Sequence, residues 1–205
     1  MIEFAVDVIN QIGLFGAGLL VALEVIVPPI PSEAILLLTG FNISLERFGF
    51  AEALIATTLG SLLGATLLYF LGFAFTEERL EKIVAKYGKF VGLPLKDFKK
   101  TMAWFERHGS ALVLFGRMIP IIRSLVSIPA GLVRMHLGKF YIFTGLGALA
   151  WNSIWISIGF NLGENWQVGE EFAQYLEWIA YIILGAVAVY LALNLVRYLI
   201  SRRSN

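Results

Sequence analysis

Three stretches of the chain are continuously apolar and carry no charge: residues 53–75, 140–163 and 178–196. About 20 consecutive apolar residues cross a bilayer as a helix, so each is read as a transmembrane span with Trp and Tyr suited to its interfaces. Two further stretches are apolar but interrupted. The first runs from Ile12 to Leu45 and holds Glu24, then Pro28, Pro29 and Pro31, then Glu33, before resuming as Ala34, Ile35 and three leucines. The second runs from Ser110 to Val133 and holds Arg117, Pro120, Arg123 and Pro129. Proline lacks an amide donor and clashes with the preceding turn, so Pro28, Pro29, Pro31, Pro120 and Pro129 are read as helix breaks. The apolar pieces between these breaks are each too short to cross alone. Both stretches are therefore expected to be re-entrant hairpins, whose irregular backbone is tolerated at depth only beside protein or a water-filled cavity. Between them, Leu80, Ile83, Val84 and Tyr87 recur at helical spacing. That pattern predicts helices lying along the membrane surface, with a solvated linker as the plain alternative.

Sliding the chain along itself places Pro29-Ile30 on Pro120-Ile121 and Gly40 on Gly131, a shared offset of 91. At an offset of 87, Leu59, Gly60 and Leu62 fall on Leu146, Gly147 and Leu149, Gly72-Phe73 on Gly159-Phe160, and Glu77 on Glu164. Each copy reads as a hairpin followed by a glycine-rich span. A hairpin makes no net crossing and a span makes one, so the second copy starts on the opposite side of the membrane. Inverted repeats with broken helices are a recurring transporter architecture whose substrate site lies where the copies meet. The expected fold is thus an all-α integral membrane protein, one membrane domain over residues 1–205. It comprises repeat 1 (12–76), an amphipathic connection (77–109), repeat 2 (110–163) and a further C-terminal transmembrane helix (174–200).

Composition agrees. Of 205 residues, 58% are hydrophobic and 15% charged, against roughly 25% charged in an average soluble domain. The net charge of +1 says little, but its placement matters. Eight Lys and Arg residues lie between Arg79 and Arg107, and Arg197, Arg202 and Arg203 close the chain, so both regions are expected to face the cytoplasm. Residues 164–177 carry four Glu and no Lys or Arg, which suits the outer side. Nucleic acid is not an expected partner. The absence of cysteine removes disulfides, thiolate metal sites and a cysteine nucleophile. Glu3 and Asp7 make the start acidic and no A-x-A site follows, so the first apolar run is expected to remain in the mature protein rather than act as a signal peptide.

The chemistry-bearing residues are Glu24 and Glu33 in the first hairpin and Arg117 and Arg123 in the second. A charge at a helix centre costs roughly 2.5–3.5 kcal/mol to insert, so two acids are expected to face two bases. A purely structural role is the alternative, yet apolar residues often replace a buried ion pair without loss of stability, so retaining four charges asks for a use. Arginine's planar fork fits phosphate, making Arg117 and Arg123 the substrate-binding candidates. Half-helices beginning after Pro31 and Pro120 aim amide donors into the same region. Glu24 and Glu33 can change protonation as an anion comes and goes, which makes them the proton-coupling candidates. His108 and His136 read as interfacial, Ser32 and Ser124 as helix caps, Arg134 and Lys139 as cytoplasmic markers, and Gly60, Gly64 and Gly72 as packing residues. No metal site, cofactor or catalytic residue is expected.

At these positions the chain resembles the DedA family, also described as SNARE-associated or VTT-domain proteins. The carrying segments are Glu24 to Glu33, with its Pro-Pro-Ile-Pro-Ser-Glu ending, and Phe115 to Gly131, with Arg117, Pro120, Arg123 and Pro129. The resemblance spans about residues 12–163. It implies two inverted re-entrant hairpins, a functional role for Glu24, Glu33, Arg117 and Arg123, and proton-dependent transport in the bacterial inner membrane. It further implies a lipid substrate: undecaprenyl phosphate, or phospholipids such as phosphatidylethanolamine. Some members space the acids more widely with a Pro-Gly-Asp ending, whereas the shorter form here looks more like the branch associated with phospholipid flipping. The expected function is a proton-coupled transporter or flippase of a phosphate-bearing lipid in the plasma membrane, with membrane lipids and protons as partners and homo-oligomerisation left open. A proton-linked small-ion or osmolyte transporter, a non-transporting assembly factor and a membrane enzyme acting on lipid phosphates are the alternatives.

Overall fold

The computed structural model describes residues 2–24, 32–75, 77–87, 95–119 and 122–169, with isolated positions between 175 and 193. Among them every regular element is helical: α1 (Ile2–Glu24), α2 (Ser32–Ser44), α3 (Phe50–Ala74), α4 (Glu77–Tyr87), α5 (Leu95–Gly116), α6 (Ile122–Leu125), α7 (Ser127–Leu132) and α8 (Leu137–Leu162). Three helical stretches are long and apolar enough to cross a membrane, Phe4–Glu24, Phe50–Ala74 and Leu137–Gly169. Two of these are the spans expected at 53–75 and 140–163. The third expected span, 178–196, and the C-terminal helix 174–200 that contains it lie outside the described residues except for isolated helical positions such as Trp178, Ile182 and Val189.

The first helix departs from expectation. It begins at Ile2 rather than near Ile12, because Ala5 and Ile9 sit one turn apart and are both buried while Asp7 points outward. Gly13 then kinks it, with φ 56° and ψ −132°, a backbone region open in practice only to glycine. The segment after the kink, residues 14–24, is about 16 Å long, and α2, with 13 residues, is about 20 Å. Each falls short of the ~30 Å hydrocarbon layer.

The outward faces explain the composition. Ile55, Leu59, Leu63 and Leu67 form an exposed stripe on α3, and Ile142, Leu146 and Leu149 another on α8. Contiguous leucine on a surface suits lipid rather than water. In the connection, α4 half-buries Leu80 and Val84 while Arg79 and Lys82 stay exposed, and Lys99 of α5 meets Glu81 of α4 at 2.8 Å.

Packing crosses between the two halves of the sequence. α2 lies against α8 and α7 against α3, while α1 also packs on α3 and α5 on α8. Two glycine pairs set the crossings. A Cβ on Gly40 would strike the carbonyl oxygen of Ile156, and one on Gly159 that of Leu37. A Cβ on Gly131 would strike the carbonyl of Tyr69, and one on Gly72 that of Ile128. Only glycine permits such close backbone approach between helices in lipid.

Candidate functional site

The crossed packing carries the ends of the broken segments to one place. α1 ends on Glu24, α2 begins with Ser32 and Glu33, Arg117 follows the last turn of α5, Arg123 lies in α6, and Ser127 opens α7. All six side chains are buried, and the four charged residues retain 4–7% of their exposure. Burial at this level would be prohibitive for lone ions, so their mutual arrangement decides whether the site is stable.

The arrangement is a bridged network. Arg123 Nη2 donates to Glu24 Oε1 and to Ser32 Oγ, and the Ser32 hydroxyl donates to Glu33 Oε2 at 3.0 Å. One guanidinium of the second half therefore serves both carboxylates of the first, one directly and one through a serine. Arg117 Nη2 donates to Ser127 Oγ at 2.8 Å. Arg117, Arg123 and Glu33 all lie within electrostatic reach of Glu24. The sequence expectation that two acids face two bases is met in position.

Two atoms of the quartet have no hydrogen-bond partner among the described residues, Glu24 Oε2 and Arg117 Nε. Buried polar atoms are almost always paired, so these point to a site that holds something else. The free donor on Arg117 suits an anion, and the free carboxylate oxygen suits a proton or a hydroxyl.

α8 closes the third side. A Cβ on Gly147 would come within 2.7 Å of Arg117 Cβ, so this glycine is what lets Arg117 approach. One turn further on, the Trp151 ring centroid lies 5.8 Å from the Arg123 guanidinium carbon, within cation–π range. Asn152 is fully buried and offers its amide to Thr58 Oγ1 at 3.4 Å and Ser61 Oγ at 3.5 Å, tying α8 to α3.

The remaining predicted residues are placed as follows. Pro28, Pro29, Pro31 and Pro120 lie outside the described residues; the helices on either side of the first three stop at Glu24 and restart at Ser32. Pro129 sits in the first turn of α7, where its missing amide would be unpaired in any case. Ser32, expected as a cap, joins the Arg123–Glu33 link. His136 caps α8, its Nδ1 accepting from Gly138 N at 3.1 Å, and His108 stacks near Trp104 on α5. Gly60 packs on Gly18 and Gly72 on Ile128. Ser127 and Trp151 were not among the expected site residues. Ser127 follows Arg123 by one helical turn, a spacing that could have flagged it, whereas a Trp inside a span reads as packing.

The comparisons with known proteins fall on this same region. A family model described as the VTT domain matches residues 30–161, which include Glu33, Arg117 and Arg123 and begin just after Glu24. An "Alkaline phosphatase-like protein" of Lactococcus lactis subsp. lactis is 42% identical over 190 residues, covering 92% of this chain and 89% of its own length. "Undecaprenyl phosphate transporter A" of Staphylococcus aureus is 29% identical over 203 residues, 99% of this chain and 98% of its own. Its namesake in Bacillus subtilis is 29% identical over 175 residues, covering 85% and 86%. No solved structure matches. The matched region holds most of the charged network and the helices that carry it, and on this evidence the chain is a membrane protein of the VTT-domain family, whose members are also known as DedA proteins.

Proposed function

We propose that the chain is a proton-coupled transporter that carries the headgroup of a phosphate-bearing lipid between leaflets of the plasma membrane. The carrying observation is the buried network in which Arg123 bridges Glu24 and Ser32–Glu33 while Arg117 beside it keeps an unpaired donor. Arginine donors suit a phosphate anion, which would compete with the carboxylates for the same cations. A carboxylate that loses its arginine inside a low-dielectric site must take up a proton or meet water, which links anion movement to proton movement. Glu24 and Glu33 are the coupling groups in this reading, and Arg117 and Arg123 hold the phosphate.

The short lengths of 14–24 and α2 support a first re-entrant hairpin, the short α6 and α7 support a second, and the matching glycine contacts, Gly40 with Gly159 and Gly131 with Gly72, support two inverted copies related at the offsets of the sequence repeat. The basic connection 77–109 and the C-terminus then face the cytoplasm. The names of the staphylococcal and bacillar relatives favour a polyprenyl phosphate, with a phospholipid such as phosphatidylethanolamine as the second substrate class. These names also favour transport over turnover.

The test is lipid translocation in reconstituted vesicles under a set pH gradient, read with a leaflet-specific assay, for wild type and for Arg117→Lys, Arg123→Lys, Glu24→Gln and Glu33→Gln. The arginine variants are expected to lose translocation and the glutamine variants to lose its dependence on the gradient. Wild-type rates in folded variants would refute the reading. Ion flux without lipid movement would transfer the site to a small-ion or osmolyte transporter, and hydrolysis of the lipid phosphate by purified protein would revive an enzyme.

A further inference from the structure

One face of α8 runs past both arginines. Thr144, Gly147 and Trp151 follow one another at helical spacing and are all buried, with Gly147 against Arg117 and Trp151 against Arg123. Two of these three carry a polar atom without a partner among the described residues, Thr144 Oγ1 and Trp151 Nε1. Thr144 differs here from its counterparts in the other helices. Thr39, Thr57, Ser61 and Thr66 each satisfy the hydroxyl by donating to the carbonyl four residues earlier, at 2.7, 2.8, 3.1 and 2.6 Å. Threonine in a helix usually takes that bond when nothing better is offered. Thr144, fully buried, does not. A buried hydroxyl and a buried indole N–H are thus left unpaired on the α8 stripe that sets Gly147 against Arg117 and Trp151 against Arg123.

We propose that Thr144 and Trp151 are donor stations for the headgroup, the hydroxyl and the indole N–H each donating to a phosphate oxygen as it passes Arg117 and Arg123. The two residues are seven positions apart, about 10.5 Å along the helix axis, which exceeds the span of one phosphate, so they serve successive positions rather than one. Neutral donors suit this task. They stabilise the anion between the arginines without holding it as a third cation would, and Trp151 also keeps Arg123 in place through its ring. The inference rests on the anion reading of the site and adds to it two binding residues and an order of contact.

The test uses full-length protein in vesicles containing a short-chain polyprenyl phosphate, comparing wild type with Thr144→Val, Thr144→Ser, Trp151→Phe, Arg117→Lys and Arg123→Lys. Thr144→Val preserves shape while removing the hydroxyl donor, and Trp151→Phe removes the indole N–H while keeping an aromatic ring beside Arg123. Each is expected to slow translocation about tenfold, equivalent to ~1.4 kcal/mol. Thr144→Ser, which keeps a hydroxyl, retains the wild-type rate. Thermal unfolding of Thr144→Val stays level or rises, since deleting an unpaired buried donor removes a desolvation penalty, whereas Trp151→Phe also opens a void in the core and melts lower. The proposal is overturned if Thr144→Val and Trp151→Phe translocate within twofold of wild type, or if their loss of rate follows a loss of stability that Thr144→Ser shares. Silence in these variants while the arginine variants lose activity would sink this inference alone. Silence in the arginine variants too would sink the anion reading beneath it.

Discussion

Replacing Arg123 by Met tests the bridged network most directly. The guanidinium donates to Glu24 and to Ser32, and the side chains of the Arg123–Glu24 pair are each only 8% exposed. Methionine matches the apolar stem but leaves Glu24 with Arg117 as its remaining cation among the described residues and Glu33 with the Ser32 hydroxyl. Removing one partner of a buried pair leaves an uncompensated charge, which destabilises by about 3–5 kcal/mol. For a chain of 205 residues each kcal/mol moves the melting temperature by roughly 2–4 °C, so Arg123→Met should melt about 6–20 °C below wild type. Pairing it with Glu24→Gln removes the orphaned charge. The double variant should recover more than half of the loss, because apolar and neutral groups often replace a buried ion pair without penalty. Tryptophan fluorescence on heating, in one detergent at one pH, reads all of these. Translocation should be absent in both variants. The reasoning fails if Arg123→Met melts within about 2 °C of wild type, or if the double variant melts where the two single losses add up, since either outcome would mean that the two groups do not depend on one another.

Gly40→Ala and Gly131→Ala should cost similar stability, on the order of 1–3 kcal/mol each, because both force a methyl against a carbonyl of the facing helix; a clear inequality in melting temperature would break the equivalence of the two crossings. Lys99→Ala should leave melting within about 2 °C of wild type, since its partner Glu81 and its own side chain are 30% and 53% exposed and such pairs contribute at most about 1 kcal/mol.

What the sequence could and could not reveal follows from the range over which each feature is determined. Charges inside apolar stretches are local facts, so Glu24, Glu33, Arg117 and Arg123 were identifiable without coordinates. Their pairing is not local. Arg123 reaches Glu24 because α2 lies on α8 and α7 on α3, and those crossings depend on Gly40, Gly159, Gly131 and Gly72 meeting across the chain. The spacing of these glycines was visible as offsets of 91 and 87, but an offset does not say which helix packs on which. The start of α1 was missed because Glu3 and Asp7 interrupt its apolar run, and Gly13 gave no sign of a kink among many other glycines. Ser127 and Trp151 were passed over because a serine near a proline reads as a cap and an aromatic in a span reads as core.

The crossed packing also bears on how such a site could work. Arg123 belongs to one half of the sequence and both carboxylates it serves belong to the other. Of the segments around the network, α2 is packed on α8 of the opposite half where Gly40 and Gly159 meet, and α7, which follows α6, on α3 where Gly131 and Gly72 meet. The charge bridge is then one of the ties between the two halves, beside the packing of α2 on α8 and of α7 on α3. An anion that takes over Arg123 from Glu24 would break that contact and replace the lost charge contact in the same event, which would couple occupancy of the site to one tie between the halves.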